Sequence, residues 1–210
     1  MKTFQLSNLS FSIFPILKHL EQQHLKNVRI NYDIDFLGLK RKNEHLNALF
    51  TLDSLLKKET ILTRDSFNKL NAKDDSIKLS ISHNKKFSAA IVSESFNVGI
   101  DVESISDKAL NISDKFISPN ERLNFETINP QIATLIWSAK ESMYKAYGKK
   151  NLHFKENLII HEFDEANMEI ESELKKENLN WKFLLGVLQI ENELITYTKD
   201  LKVLGSKYFI

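Results

Sequence analysis

The stretch "IKLSISHNKKFSAAIVSESFNVGIDVESIS", residues 77–106, decides the fold class. Two short runs rich in β-branched and small residues, "IKLSISH" and "FSAAIVS", are joined by the turn-like "NKK" and read as a strand pair. After the polar "ESFN", the segment "NVGIDVESIS" reads as a third strand, with Phe87 to Ser93 as its expected partner. Side chains of a strand alternate between faces, so Val98, Ile100 and Val102 share one side and Gly99, Asp101 and Glu103 the other. One face is apolar. The other offers a residue without a side chain, followed by two carboxylates.

Helices flank this sheet. "RKNEHLNALFTLDSLLKKE" carries Leu46, Leu49, Phe50, Leu52, Leu55 and Leu56 at helical spacing. A short helix is expected around Leu17 to Leu25 and an extended segment around Val28 to Phe36. In "SPNERLNFET", Ser118 caps, Pro119 suits the first helical position and Glu121 stands three after the cap. "QIATLIWSAKESMYKAYGKK" is the strongest helix, with Leu135, Ile136, Ala139, Met143 and Ala146 as its buried stripe and Gly148 as its left-handed stop. The tail returns to strands in "MEIESEL", "WKFLLGVLQI" and "ELITYT", and Glu169, Glu171 and Glu173 read as a solvated strand face. The class is α+β, with helices packed on antiparallel strands.

Composition bounds the chemistry. The 210 residues suffice for one moderately large domain or two small ones. The absence of Cys excludes disulfides, thiolate catalysis and zinc-thiolate sites, and fits a reducing compartment. With 29 basic and 28 acidic residues the net charge is +1, which argues against a nucleic-acid binder driven by bulk charge. No apolar run approaches the roughly 20 residues of a membrane span, and no signal peptide is legible. The chain is expected to be cytoplasmic.

On the strongest helix, Trp137, Lys140, Glu141, Tyr144, Lys145 and Gly148 recur at spacings of three and four and share one side. Taken alone, Glu141 and Lys145 are a surface ion pair, and Asp101 and Glu103 are exposed strand charges. Together, Asp101, Glu103 and Glu141 would supply oxygen ligands to a hard cation, since adjacent carboxylates repel unless neutralised. Mg²⁺ completes such a shell with waters and phosphate oxygens. Gly99 leaves room for a bulky anionic ligand, and Lys140 and Lys145 lie where phosphate charge needs neutralising.

"VGIDVE" (98–103), followed by "WSAKESMYKAYGK" (137–149), resembles the signature pair of the 4′-phosphopantetheinyl transferase superfamily. "LSISHNKKFSAAIV" is similar to the Ser-His motif of that family, and "KRKNEHL" to the basic helix start of its first half. The length resembles the larger single-chain, surfactin-synthetase-activating type. That type has two similar α+β halves with coenzyme A between them, here 1–95 and 96–210, the second carrying the metal site.

The resemblance implies transfer of the phosphopantetheine arm of coenzyme A to a serine of an acyl or peptidyl carrier protein, releasing adenosine 3′,5′-bisphosphate. It implies Mg²⁺, or Mn²⁺ in its place, on Asp101, Glu103 and Glu141. Glu141, directly or through a water, would be the general base, and Lys145 would neutralise and protonate the leaving phosphate. Lys140 would hold the pyrophosphate. Ser82, His83, Arg41 and Gly99 would line the coenzyme site, with His83 and Arg41 at the 3′-phosphate. Trp137 would be a packing residue that sets the helix. A monomer is implied, with no nucleic acid or membrane among its partners.

Three family features are missing. Leu49 stands where a second arginine is common, and "NAKDDSIKLS" lacks a Gly-Lys-Pro turn, leaving Lys73 or Lys78 in its place. Lys108 replaces an arginine that usually follows the Asp-x-Glu strand. The alternative is therefore a degenerate homologue that binds coenzyme A or a carrier protein without transfer.

Overall fold

The structure is a computed structural model describing residues 2–204. It divides into two compact units, Met1–Val102 and Glu103–Ile210. The boundary falls inside a strand, so Asp101 lies in the first unit and Glu103 in the second.

In the first unit, β1 (Lys2–Leu6) and β2 (Leu9–Pro15) form a hairpin where the sequence suggested one strand or loop. β3 (Val28–Ile30) precedes α1 (Leu39–Asp53), which is followed by β4 (Thr60–Arg64) and β5 (Leu70–Ala72). Then come β6 (Lys78–His83), β7 (Phe87–Ser93) and β8 (Ile100–Ser104). The expected helix at Leu17 to Leu25 shrinks to a 3₁₀ turn at Gln22–His24, and the extended segment to β3.

One sheet has the order β1-β2-β7-β6 and is antiparallel. A smaller sheet, β3-β4-β5, contains the parallel pair β3–β4. α1 packs on β7 and β6, with its Leu49 and Leu52 completely buried in a core that also holds Leu62 of β4. Helix and sheet also meet through hydroxyls, Thr51 Oγ1 lying 2.6 Å from Ser88 Oγ. Small polar side chains at that contact allow close approach without orphaning a buried group.

The expected pairing of β8 with β7 does not form. Both edges of β7 are already taken, by β2 and β6, and β8 instead heads a sheet in the order β8, β12 (Glu193–Leu204), β11 (Leu179–Ile190), β10 (Glu169–Lys176), β9 (Leu158–Asp164). Its first residues are tied to β6 through side chains. Ser80 Oγ accepts from the Ile100 amide and Ser82 Oγ from the Val102 amide, each at 3.3 Å. The apolar face is buried as expected, with Val98, Ile100 and Val102 at most 2% exposed.

The second unit continues with α2 (Asp107–Asn111), α3 (Pro119–Leu123), α4 (Pro130–Tyr147) and α5 (Phe154–Asn157). Strands β9 (Leu158–Asp164), β10 (Glu169–Lys176), β11 (Leu179–Ile190) and β12 (Glu193–Leu204) follow, all antiparallel. α3 opens with the expected capping box, Ser118 accepting from the Glu121 amide and Glu121 from the Ser118 amide. α4 starts at Asn129, whose side chain accepts from the Ile132 amide at 2.9 Å, and stops at Gly148 with φ 70°. α4 packs on β12, where Ser138 and Ser142 meet Thr196 at 3.0 and 2.8 Å.

Glu173 is not solvated. It keeps the strand parity of Glu169 and Glu171, but neighbouring side chains cover it and leave it 4% exposed. There it accepts from Lys175 Nζ at 2.7 Å and meets His161 Nε2 at 3.2 Å. Burial pushes its pKa up, but the hydrogen bonds from Lys175, Asn180 and His161 prevail and hold it below the usual carboxylate value. The class is α+β, as expected.

Candidate functional site

β8 and α4 carry the polar residues that the sequence singled out. Asp101 is 4% exposed and accepts from Ser82 Oγ at 3.0 Å. A buried carboxylate needs donors, and a serine one strand away supplies one. Ser82 is itself 7% exposed, with the Val102 amide on the same oxygen. The Ser82 hydroxyl thus serves both the strand and Asp101. Gly99 is buried at the start of the same segment.

Glu103, half-buried, takes a hydrogen bond on Oε1 from Trp137 Nε1 at 3.1 Å. Trp137 stands one turn before Glu141 on α4, so this contact brings the Glu141 face of the helix to the Glu103 end of β8. Lys145 follows one turn later, near the negative end of the helix dipole. Glu141 and Lys145 are both half-buried.

Lys140 departs from expectation. Its side chain is fully buried, and its ammonium donates to Phe116 O at 2.6 Å, Phe154 O at 2.9 Å and the Glu121 carboxylate at 2.7 Å. An ammonium has three N–H groups, so these contacts leave none for a pyrophosphate. Burial pulls its pKa below the usual lysine value, while the charge and hydrogen bond of Glu121 work against that pull. Glu121 also accepts the Ser118 and Ile160 amides at 2.7 and 2.9 Å. The pair is a structural fastener. Spacing alone put Lys140 on the polar side, but its long stem turns inward.

Among the described residues, no group of three or more His, Asp or Glu side chains is gathered closely enough to hold a metal ion. The expected three-carboxylate cluster is thus not preassembled there. The donor set nevertheless suits Mg²⁺, which usually takes one or two carboxylates and draws the rest of its shell from water and phosphate. Two carboxylates on one face of a single strand meet that requirement, each with a hydrogen-bond donor to orient it.

The first unit holds a separate basic group. His83 is exposed at the end of β6, and Arg64 lies 4.8 Å above the Tyr32 ring. Tyr32 Oη and His45 Nε2 meet at 2.9 Å. Burial, together with the charges of Arg64 and His83, lowers the His45 pKa to about 4. Burial likewise raises Tyr32 to about 12 against the opposing charge of Arg64. Arg64 was missed in the sequence because its strand is short and shows no clear alternation. Arg41 is exposed on the first turn of α1. Leu49 is fully buried in the core, and Lys78 is paired with Asp75 at 2.5 Å.

Residues 97–198 match the family model of the 4′-phosphopantetheinyl transferase superfamily. The match begins just before β8 and runs to β12, so it spans Asp101, Glu103, Trp137, Glu141 and Lys145. No curated protein gives a significant match to the chain. Among the described residues, no helix is long and apolar enough to cross a membrane.

Proposed function

We propose that the chain is a 4′-phosphopantetheinyl transferase of the larger single-chain type, moving the arm of coenzyme A to a serine of an acyl or peptidyl carrier protein. The observation that carries this reading is the match over residues 97–198 together with the Trp137–Glu103 contact, which brings both signature motifs together. Asp101, Glu103 and Glu141 would hold Mg²⁺, which when bound neutralises pyrophosphate charge and polarises the phosphorus under attack. Glu141, directly or through a water, accepts the proton of the carrier serine, a role suited to a half-buried carboxylate on a rigid helix. Lys145, one turn on, offsets the charge that grows on the departing phosphate and returns a proton to it. Arg64 and His83 give the first unit cationic groups suited to the 3′-phosphate, with Arg41 exposed on α1. A cytoplasmic monomer is part of the proposal.

The test incubates the protein with coenzyme A, Mg²⁺ and a panel of apo-carrier proteins. Mass spectrometry should show one carrier gaining a single phosphopantetheine arm, with Glu141→Gln abolishing the gain. A fully active Glu141→Gln protein would remove Glu141 from the mechanism. The burial of Lys140, with a leucine rather than a cation at position 49, favours a second reading, a homologue that binds coenzyme A without transfer, because fewer cations are left for phosphate. Calorimetric binding of coenzyme A with no carrier modified would establish that second reading.

A further inference from the structure

The Trp137 ring lies between two phenylalanines, with centroids 5.1 Å from Phe116 at 68° and 5.4 Å from Phe154 at 35°. The carbonyls of those same two residues are the ones Lys140 Nζ grips, at 2.6 and 2.9 Å. One buried ammonium therefore pins both walls of the indole slot. An indole carries one donor and no acceptor, so a tryptophan locked in such a slot can only address an acceptor, and here it meets Glu103 Oε1 at 3.1 Å. Packing alone would be served by a phenyl ring. The N–H is what distinguishes tryptophan at this position.

We propose that Trp137 is a positioning residue for Glu103: its N–H fixes the carboxylate rotamer and thereby raises the affinity of the site for a divalent cation. Lys140 stands behind it as the fastener of the Phe116 and Phe154 walls. This rests on Glu103 being a metal ligand, as proposed above. Groups that orient a ligand from behind commonly change metal affinity by about 10–100-fold when removed.

The experiment titrates the full chain with Mn²⁺, followed by electron paramagnetic resonance, in the parent, Trp137→Phe, Glu103→Gln and the double variant. Trp137→Phe keeps a ring in the slot and should weaken Mn²⁺ binding about tenfold with little change in melting temperature. The double variant should bind no more weakly than Glu103→Gln alone, because the indole acts only through that carboxylate. An independent readout is the ¹H–¹⁵N spectrum, where the chain's 2 tryptophans give one indole cross-peak each. The Trp137 peak, assigned by its loss in Trp137→Phe, should move in Glu103→Gln and stay in the control Glu171→Gln. It should also move in the paired variant Lys140→Met with Glu121→Gln, which deletes the fastener without stranding a charge.

Unchanged Mn²⁺ affinity in Trp137→Phe, or losses that add in the double variant, would overturn the positioning role. Unchanged affinity in Glu103→Gln would overturn Glu103 as a ligand and the inference with it, while the indole peak reports the hydrogen bond separately. A Trp137 peak unmoved in the paired variant would overturn the part given to Lys140.

Discussion

Lys140 Nζ lies 2.7 Å from Glu121 Oε1, and neither side chain is more than 1% exposed. Burying two charges is costly, and here the cost is offset because every N–H of the ammonium and both carboxylate oxygens have partners. Lys140→Met should therefore destabilise the protein by about 3–5 kcal/mol, by stranding the Glu121 charge. Adding Glu121→Gln should recover part of that loss by removing the stranded charge, its one amide oxygen still accepting one of the two backbone amides. Urea unfolding of the single and double variants measures both effects.

His45 makes stability depend on pH. Its folded pKa of about 4 lies below the ordinary 6.5, so the unfolded chain binds the proton more readily. Stability is unaffected well above pH 6.5, falls as pH drops through the window from 6.5 to 4, and levels off below it, at most about 1.4 kcal/mol per pH unit. Tyr32, Arg64 and His83 face His45, and both neighbouring cations push in the same direction. Melting temperatures measured across pH 4–7 should lose this acid slope in His45→Gln.

Ser82→Ala removes a donor from Asp101 while leaving the strand in place. Mg²⁺-dependent binding of coenzyme A should weaken by about tenfold, whereas Ser80→Ala, which touches only the Ile100 amide among the contacts described, should leave it near the parent value. Isothermal calorimetry with and without Mg²⁺ separates the two. Equal weakening by both substitutions would make Ser82 a strand anchor only.

Gly186 is closed to larger residues. A Cβ there would sit 2.3 Å from Tyr197 Cζ, whose ring covers the glycine from the neighbouring strand. Gly186→Ala should cost about 1–3 kcal/mol through displacement of that ring. Thermal unfolding checks the loss, and Gly186→Ala in a Tyr197→Leu background should cost less.

The strongly periodic parts of the chain were legible. α4 stood out through its apolar stripe, the Ser118 cap and Gly148 stop through turn chemistry, and β8 through its alternation. What alternation cannot carry is the identity of the partner strand, and β8 went to β12 because β7 had no open edge. Lys140 was misplaced because a helical wheel fixes where Cβ points but not where a four-carbon stem ends. Glu173 was misplaced because alternation gives the face of a side chain but not the cover that Lys175 and His161 lay over it. Arg64 and β4 left no pattern long enough to read.

The inward turn of Lys140 splits the two lysines of one helical segment by their response to ionic strength. Counter-ions reach the half-buried Lys145 and can blunt its pull on an anion, but they do not penetrate to a fully buried pair. On the proposed function, concentrated salt should thus slacken capture of a charged substrate long before it loosens the helix that carries Lys145.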